Sequence, residues 1–249
     1  MVARRRQDIE GMRRASAVTA RLLRDLARLA RPGTTTGALN DFAEDFIAQI
    51  GGEAVFHTQN RFPAAINTSV NDEAVHGVPG QRRLALGDLL KLDCGIGLDG
   101  YCGDTTISLI VGQPAGGDEE RQRVLDAARE ALRLGIAAVK VGGHVGDIGA
   151  VMQEYVESQG LLLLPEFTGH GIGRRLWEKP SIPAVGTAGT GPRIVEGLVF
   201  TIEPIVTSGD GRVFVAPDGW TVRTGDGAPV AQFEHTVMAT KQGPIVLTA

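Results

Sequence analysis

The sequence predicts an α+β fold of two αβ halves related by a pseudo-twofold axis, with a candidate site between them. Three observations carry that prediction. The order long helix, Gly-rich break, second helix, strands occurs twice in 249 residues. A shift of 110 residues lays RPGTTTGALNDFAEDFI over VGGHVGDIGAVMQEYVE, so that Gly33 meets Gly143, Phe42 meets Met152, Glu44 meets Glu154 and Phe46 meets Val156. This repeat is weak, and chance could also produce it. Finally, KLDCGIGLDGYCGDTTISLIVG reads as a β-hairpin, because Asp99-Gly100 is a strong two-residue turn signal.

The elements follow in order. Residues 8–31 read as a helix with Leu22, Leu26 and Leu29 at helical spacing, ended by Pro32-Gly33. Thr36 is the expected cap of a second helix over 37–50, with Phe42, Phe46, Ile47 and Ile50 on one face. A short strand near 64–70 precedes hairpin strands at 88–98 and 101–111. Gln113-Pro114-Ala115-Gly116-Gly117 breaks the chain. Helices over about 118–139 and 146–159 follow, then strands near 163–168, 197–206, 212–216 and 230–240. No long linker or low-complexity segment interrupts the series, so residues 1–249 read as one domain, with halves at about 1–112 and 118–249.

Within this frame, Asp93, Asp104, His170, Glu203 and Glu234 are the residues that point to chemistry. Carboxylates are rarely placed in apolar strands without a charged partner. Four carboxylates and a neutral imidazole carry −4, which two divalent cations would neutralise. The hairpin register supports the grouping. With Asp99-Gly100 as the turn, Leu98 faces Tyr101, Asp93 faces Thr106 and Asp104 faces Gly95, so Asp93 and Asp104 share one face as diagonal neighbours, about 7–8 Å apart. A one-residue slip would separate them. Taken alone, the hairpin is equally explained by two solvated carboxylates.

Bulk properties exclude several classes. The net charge of −4 argues against broad nucleic-acid binding. The cluster Arg4, Arg5, Arg6, Arg13 and Arg14 reads as a solvated helix start. No apolar run reaches the roughly 18–20 residues of a membrane helix, and MVARRRQDIEGMRR lacks the apolar core of a secretory signal. Cys94 and Cys102 fall on opposite faces of the hairpin, which disfavours a disulfide and fits a reducing cytoplasm. Their spacing is not that of a metal site.

The motifs NDEAVHGVP (71–79), LDCGIGLDGYCGD (92–104), TGHGIGR (168–174), FTIEP (200–204), DGWTVRT (218–224) and AQFEHT (231–236) together resemble the type I methionine aminopeptidases of the pita-bread fold. The match spans nearly the whole chain. It implies two αβ halves around a central antiparallel sheet, and two divalent metals (Mn²⁺, Fe²⁺, Co²⁺ or Zn²⁺) held by Asp93, Asp104, His170, Glu203 and Glu234. Asp104 and Glu234 would bridge them. It further implies that Glu203 moves the proton and that His76 contacts the substrate amide. His235 would point the other way along its strand, and His57 and His144 carry no signal beyond surface or loop. The expected partner is a peptide or nascent-protein N-terminus, bound by a monomer.

The chain departs from the family pattern at several points. GHGIGR-x-x-H-E-x-P becomes GHGIGRRLWEKP, with Trp177 at the second histidine. Indole donates one hydrogen bond and accepts none. In the expected substrate pocket, Phe62 and Trp220 remain as apolar walls, whereas Gln59 replaces an aromatic and Asn67 a small residue. These two could read a polar side chain or face solvent. Gly95 stands where many bacterial relatives have threonine. The first reading is therefore removal of N-terminal methionine. A second is a specialised paralogue on the same metal scaffold, such as a biosynthetic-cluster enzyme, with altered substrate or inhibitor tolerance through Trp177, Gln59 and Asn67. A third, a non-catalytic peptide-binding module, leaves five intact ligands without a purpose.

Overall fold

The computed structural model describes residues 1–112 and 117–249. All of the predicted chain break except Gly117 lies outside the described residues. Helix α1 (Arg6–Leu29) buries Leu22, Leu23 and Leu26, whereas Leu29 is exposed. The basic start of this helix is largely self-paired: Arg5 binds Asp8, Arg6 binds Glu10 and Arg14 binds Asp99. Helix α2 (Thr36–Gln49) begins one residue earlier than predicted. Its cap is Thr35, whose hydroxyl accepts the N–H of Ala38 at 3.1 Å. The Thr36 hydroxyl is turned instead to the backbone of Gly80.

Short segments follow: β1 (Glu53–Ala54) and the helix α3 (Val55–Asn60), β2 (Ile66–Val70), which is the strand expected near 64–70, and β3 (Glu73–Val75). The hairpin is β4 (Leu89–Leu98) and β5 (Tyr101–Ile110). Asp99 and Gly100 both have positive φ, 51° and 73°, as a two-residue hairpin turn requires. In the second half, α4 (Glu119–Ala137) is capped by Asp118, which accepts the N–H groups of Glu120 and Arg121. Helix α5 (Val145–Ser158) starts with His144 at its cap position. The remaining strands are β6 (Leu162–Leu163), β7 (Thr168–Gly171), β8 (Glu178–Pro183), β9 (Val199–Ile202), β10 (Ile205–Thr207), β11 (Val213–Val215), β12 (Val222–Thr224), β13 (Val230–Gln232), β14 (Glu234–Thr240) and β15 (Gly243–Val246).

Among the described residues, nine strands form one antiparallel sheet along the path β1-β4-β5-β14-β9-β7-β8, with β2 added to β4 and β15 to β14. Helices α1 and α2 cover one half with an apolar core that includes Leu26, Leu39, Phe46 and Leu92. Helices α4 and α5 cover the other half, around Leu132, Ile148, Met152 and Phe200.

The helices match between halves at a slightly different offset from the predicted one. Helix α2 begins at Thr36 and α5 at Val145, an offset of 109, and both have 14 residues. The preceding left-handed glycines are Gly33 and Gly142, with φ of 90° and 94°, so Gly33 corresponds to Gly142 and not to Gly143. The cap residues Thr35 and His144 each make an isolated antiparallel bridge, to Arg83 and Arg193.

Three predicted strands are split, two of them beside site residues. The stretch 197–206 divides at Glu203-Pro204 into β9, in the large sheet, and β10, in a small sheet with β13 and β6. Proline has no N–H for the ladder, so pairing stops there. The stretch 230–240 divides at Phe233 in the same way, into β13 and β14. Glu203 and Glu234 therefore both sit where the chain crosses from one sheet to the other. The predicted strand 163–168 also divides, into β6 and the start of β7.

Candidate metal centre

The site is assembled by strand register. Asp93 faces Thr106, and Asp104 faces Gly95, so both carboxylates lie on one face of the hairpin. Glu234 on β14 also pairs with Thr106, and Asn67 on β2 pairs with Asp93. One row across the sheet thus reads Asn67, Asp93, Thr106, Glu234. Glu203 continues it, one residue past Ile202, which pairs with His235. His170 enters from β7, where Gly169 and Gly171 let neighbouring backbone pack closely: a Cβ at either would stand 2.3 Å from a carbonyl oxygen, that of Thr201 or Lys179.

Hydroxyls and amides orient these groups. Thr106 donates to Glu234 Oε2 at 2.8 Å, Asn67 Nδ2 donates to Asp93 Oδ2 at 3.0 Å, and Thr201 donates to Glu203 Oε1 at 2.9 Å. Gln232 Nε2 faces Glu203 Oε2 at 3.4 Å. His170 Nδ1 lies 3.1 Å from the Gly171 carbonyl, which can only accept. The ring proton is therefore on Nδ1, and the Nε2 lone pair is left facing Asp104 Oδ2 at 3.6 Å and Glu203 Oε1 at 3.7 Å.

Those two separations are too long for hydrogen bonds. They suit donors that share an ion, because atoms about 2.1 Å from one metal stand roughly 3–4 Å apart. Donor atoms of Asp104, His170 and Glu234 all lie within 4.8 Å of one another. Asp93 Oδ1, Asp104 Oδ1 and Glu234 Oε1 are buried without any hydrogen-bond partner. Carboxylate oxygens do not go unpaired in a native interior unless something else binds them. Burial pushes Asp104 and Glu203 up to about 8, and holds Asp93 and Glu234 well above the usual carboxylate range, with neighbouring carboxylates adding to the shift for Asp93, Glu203 and Glu234. The donor set fits divalent cations of the Mn²⁺, Fe²⁺, Co²⁺ or Zn²⁺ kind.

A stability prediction follows from the signs. Carboxyls whose folded pKa is raised bind more protons in the native state than in the unfolded one. Stability of the metal-free protein is then greatest below the unfolded value of about 4 and falls as pH rises toward about 8. Cations bind the ionised form and offset that loss. The rise in Tm on adding Mn²⁺ is expected to grow between pH 5 and pH 8 in differential scanning fluorimetry. A rise that shrinks over this range would contradict the burial of these groups as carboxylic acids.

The carboxylates open into a cavity of about 270 Å³. Phe62, Asn67, His76 and Trp177 line it. His76 has φ 56°, a strained value for a non-glycine residue. It is followed by Gly77, whose Cβ would stand 2.4 Å from the Thr68 carbonyl oxygen. The His76 ring packs edge-on to Phe167 at 6.4 Å, and burial lowers its pKa, favouring the neutral form. Trp177 is 43% exposed and stands edge-to-face with His170 at 6.2 Å.

Two expected pocket residues lie elsewhere. Gln59 is exposed, outside the lining, and its Oε1 accepts the N–H of Leu176 at 2.9 Å. Trp220 also lies outside the lining and meets Phe62 edge-to-face at 5.4 Å. His235 turns to the reverse of the sheet, where its Nδ1 meets the Thr248 hydroxyl. There it lines a larger, mostly apolar groove of about 940 Å³ between α1 and α4, which contains none of the carboxylates of the metal centre.

The sequence reading missed Phe56, Asn60, Glu166 and Phe167 in the cavity lining, and Thr201 and Gln232 beside Glu203. Thr201 carried a usable signal, standing two residues before Glu203 in FTIEP. Phe56 and Asn60 belong to a six-residue helix with no periodic signature. Phe56 also explains Gly95: a Cβ there would meet the Phe56 ring at 3.0 Å and Val55 at 2.8 Å.

The family model described as metallopeptidase family M24 matches residues 10–241. The chain belongs to metallopeptidase family M24. Among curated M24 relatives, methionine aminopeptidase A of Synechocystis sp. is 43% identical over 244 residues, covering 98% of this chain and 95% of that protein. A methionine aminopeptidase of Clostridium acetobutylicum is 38% identical over 242 residues, 97% of this chain and 96% of that one. The crystal structure of methionine aminopeptidase from Rickettsia prowazekii superposes with a TM-score of 0.95 at 35% identity, and all of both chains is covered. A prolidase from Pyrococcus furiosus, at 21% identity and TM-score 0.75, shares the fold, with 100% of this chain and 65% of that one covered. The fold is therefore the α+β pita-bread architecture, and the chain is a hydrolase of the M24 family.

Proposed function

We propose that this chain is a dinuclear metalloaminopeptidase that removes N-terminal methionine from peptides and nascent proteins. The observation that carries the reading is the row of buried carboxylates with unpaired oxygens at Asp93, Asp104 and Glu234, opening into a cavity with apolar walls. Asp93, Asp104, His170, Glu203 and Glu234 would hold the ions, with Asp104 and Glu234 as the shared ligands. Two bound divalent ions would supply a water nucleophile near neutral pH and polarise the first peptide carbonyl.

This chain's own residues do the rest. Thr201 and Gln232 hold Glu203 in place beside the His170 ring. Glu203 takes a proton from the nucleophile and returns it to the leaving amine. His76, neutral through burial, offers a hydrogen bond to the substrate amide. Phe62 and Phe56 give the methionine side chain an apolar, polarizable wall. Asn67 donates its Nδ2 N–H to Asp93 and so orients a metal ligand, while its Oδ1 is buried without a partner. The free thiols Cys94 and Cys102 support a cytoplasmic location. We take the working unit to be a single-domain monomer.

Trp177 favours a second reading, a paralogue with a redirected substrate. One exchange separates the two. Trp177→His restores a side chain that can both donate and accept a hydrogen bond near the scissile bond. On a Met-Ala-Ser peptide it is expected to raise kcat by about 10²-fold, because one transition-state donor is worth roughly 10²–10³. An ordinary wild-type rate that the exchange leaves unchanged would make Trp177 a neutral substitution. If neither protein cleaves the peptide, the redirected reading takes over.

A further inference from the structure

Gln59, one departure from the family pattern, reaches the backbone beside Trp177, another, although 118 residues separate the two in sequence. Helix α3 contributes Phe56 and Asn60 to one wall of the cavity, and the segment 172–178 contributes Trp177 to another. Gln59 spans the two. Its Oε1 accepts the N–H of Leu176 at 2.9 Å, next to Trp177, and its Nε2 donates to Cys102 Sγ at 3.7 Å. Cys102 is tied to the same segment, since its N–H donates to the Gly173 carbonyl at 2.8 Å.

The rest of the segment is already fixed. Glu178 Oε1 accepts the N–H groups of Arg174 at 2.8 Å and Arg175 at 3.2 Å. The Arg174 guanidinium lies on the Tyr101 ring, and Leu176 is fully buried. The exposed indole of Trp177 has no hydrogen bond of its own among the described residues, so its position rests on this backbone and on its edge-to-face contact with the His170 ring.

We propose that Gln59 is a positioning residue: it braces helix α3 against the 172–178 segment and so fixes Trp177 as a wall of the peptide cavity. The inference rests on the aminopeptidase reading for its substrate and on the geometry alone for the brace. Without the brace, the Leu176 N–H loses its acceptor in a buried setting and the segment moves to satisfy it. Trp177 then occupies its wall position only part of the time, and apparent affinity falls by that fraction. The chemical step in the complex is untouched, so the loss appears in KM and not in kcat.

The test compares Gln59→Met, which keeps the length but removes the acceptor, with Gln59→Glu, which keeps it. Trp177 becomes the only tryptophan in a Trp220→Phe background, so its fluorescence reports its position without any substrate. In that background, Gln59→Met is expected to shift the Trp177 emission to the red and to raise acrylamide quenching about twofold, whereas Gln59→Glu leaves both unchanged. With Trp220 restored and Mn²⁺ present, Gln59→Met is expected to raise KM for Met-Ala-Ser about 5- to 10-fold at constant kcat, and Gln59→Glu to hold it near wild type. Unchanged emission in Gln59→Met, or a Gln59→Glu protein that behaves like Gln59→Met, overturns the brace. A Gln59→Met protein with shifted emission and unchanged KM overturns the role of Trp177 as a substrate wall. If the emission shifts but wild type cleaves no methionyl peptide, the aminopeptidase reading fails, and the substrate half of this inference with it.

Discussion

Replacing Glu203 by Gln is expected to lower turnover of a methionyl peptide by about 10²–10⁴-fold, the range that positioned proton-transfer groups contribute. Glu203 stands at the break between β9 and β10, with Oε1 on the Thr201 hydroxyl and Oε2 facing Gln232. Burial raises its pKa to about 8 in the metal-free protein. An amide has almost the same shape and keeps the Thr201 contact, but it can neither take nor return a proton. Steady-state kinetics with a circular-dichroism check on folding would read this directly. A Glu203→Gln protein that retains more than about a tenth of the wild-type rate would remove Glu203 from the proton path.

Asp104→Asn is expected to act on metal more than on fold. Asp104 Oδ1 is buried without a partner, and Oδ2 faces His170 Nε2. Removing a group that merely orients a metal ligand costs roughly 10–100-fold in affinity, so loss of a shared ligand should cost at least about 100-fold. Calorimetric titration with Mn²⁺ should show saturable binding of two ions by wild type and almost none by the variant. The variant should also lose the Mn²⁺-dependent gain in Tm, because it binds almost no metal. Equal binding by both proteins would take Asp104 out of the ligand set.

The parts that the sequence revealed, and those it did not, divide on physical grounds. Asp93 and Asp104 were placed on one face because an Asp-Gly turn fixes a hairpin register, and the register then fixes every side chain. The helices were legible from spacing, to within about two residues at most ends. The capping threonine was misplaced by one, because Thr34, Thr35 and Thr36 offer the same hydroxyl and only the backbone decides which faces Ala38. The split at Pro204 had a local signal, since proline cannot continue a ladder; that at Phe233 had none and shows only once two sheets exist to receive the halves. Gln59 was taken for a pocket residue by its alignment with the family. Its contact with Leu176, 117 residues away, is one that no local pattern encodes. Trp220 failed as a cavity wall for a similar reason: it reaches Phe62, and Phe62 is the residue that reaches the cavity.

On the proposed reading, this row of carboxylates binds metal and methionine is cut from a peptide N-terminus. Its most direct test is the release of free methionine from Met-Ala-Ser, followed by mass spectrometry, with the protein first stripped by chelator and then titrated with Mn²⁺. No release is expected from the stripped protein, and release should rise with Mn²⁺ to a plateau as two ions per chain bind. Release that is independent of Mn²⁺, or no release from a protein that has bound two ions, would contradict it.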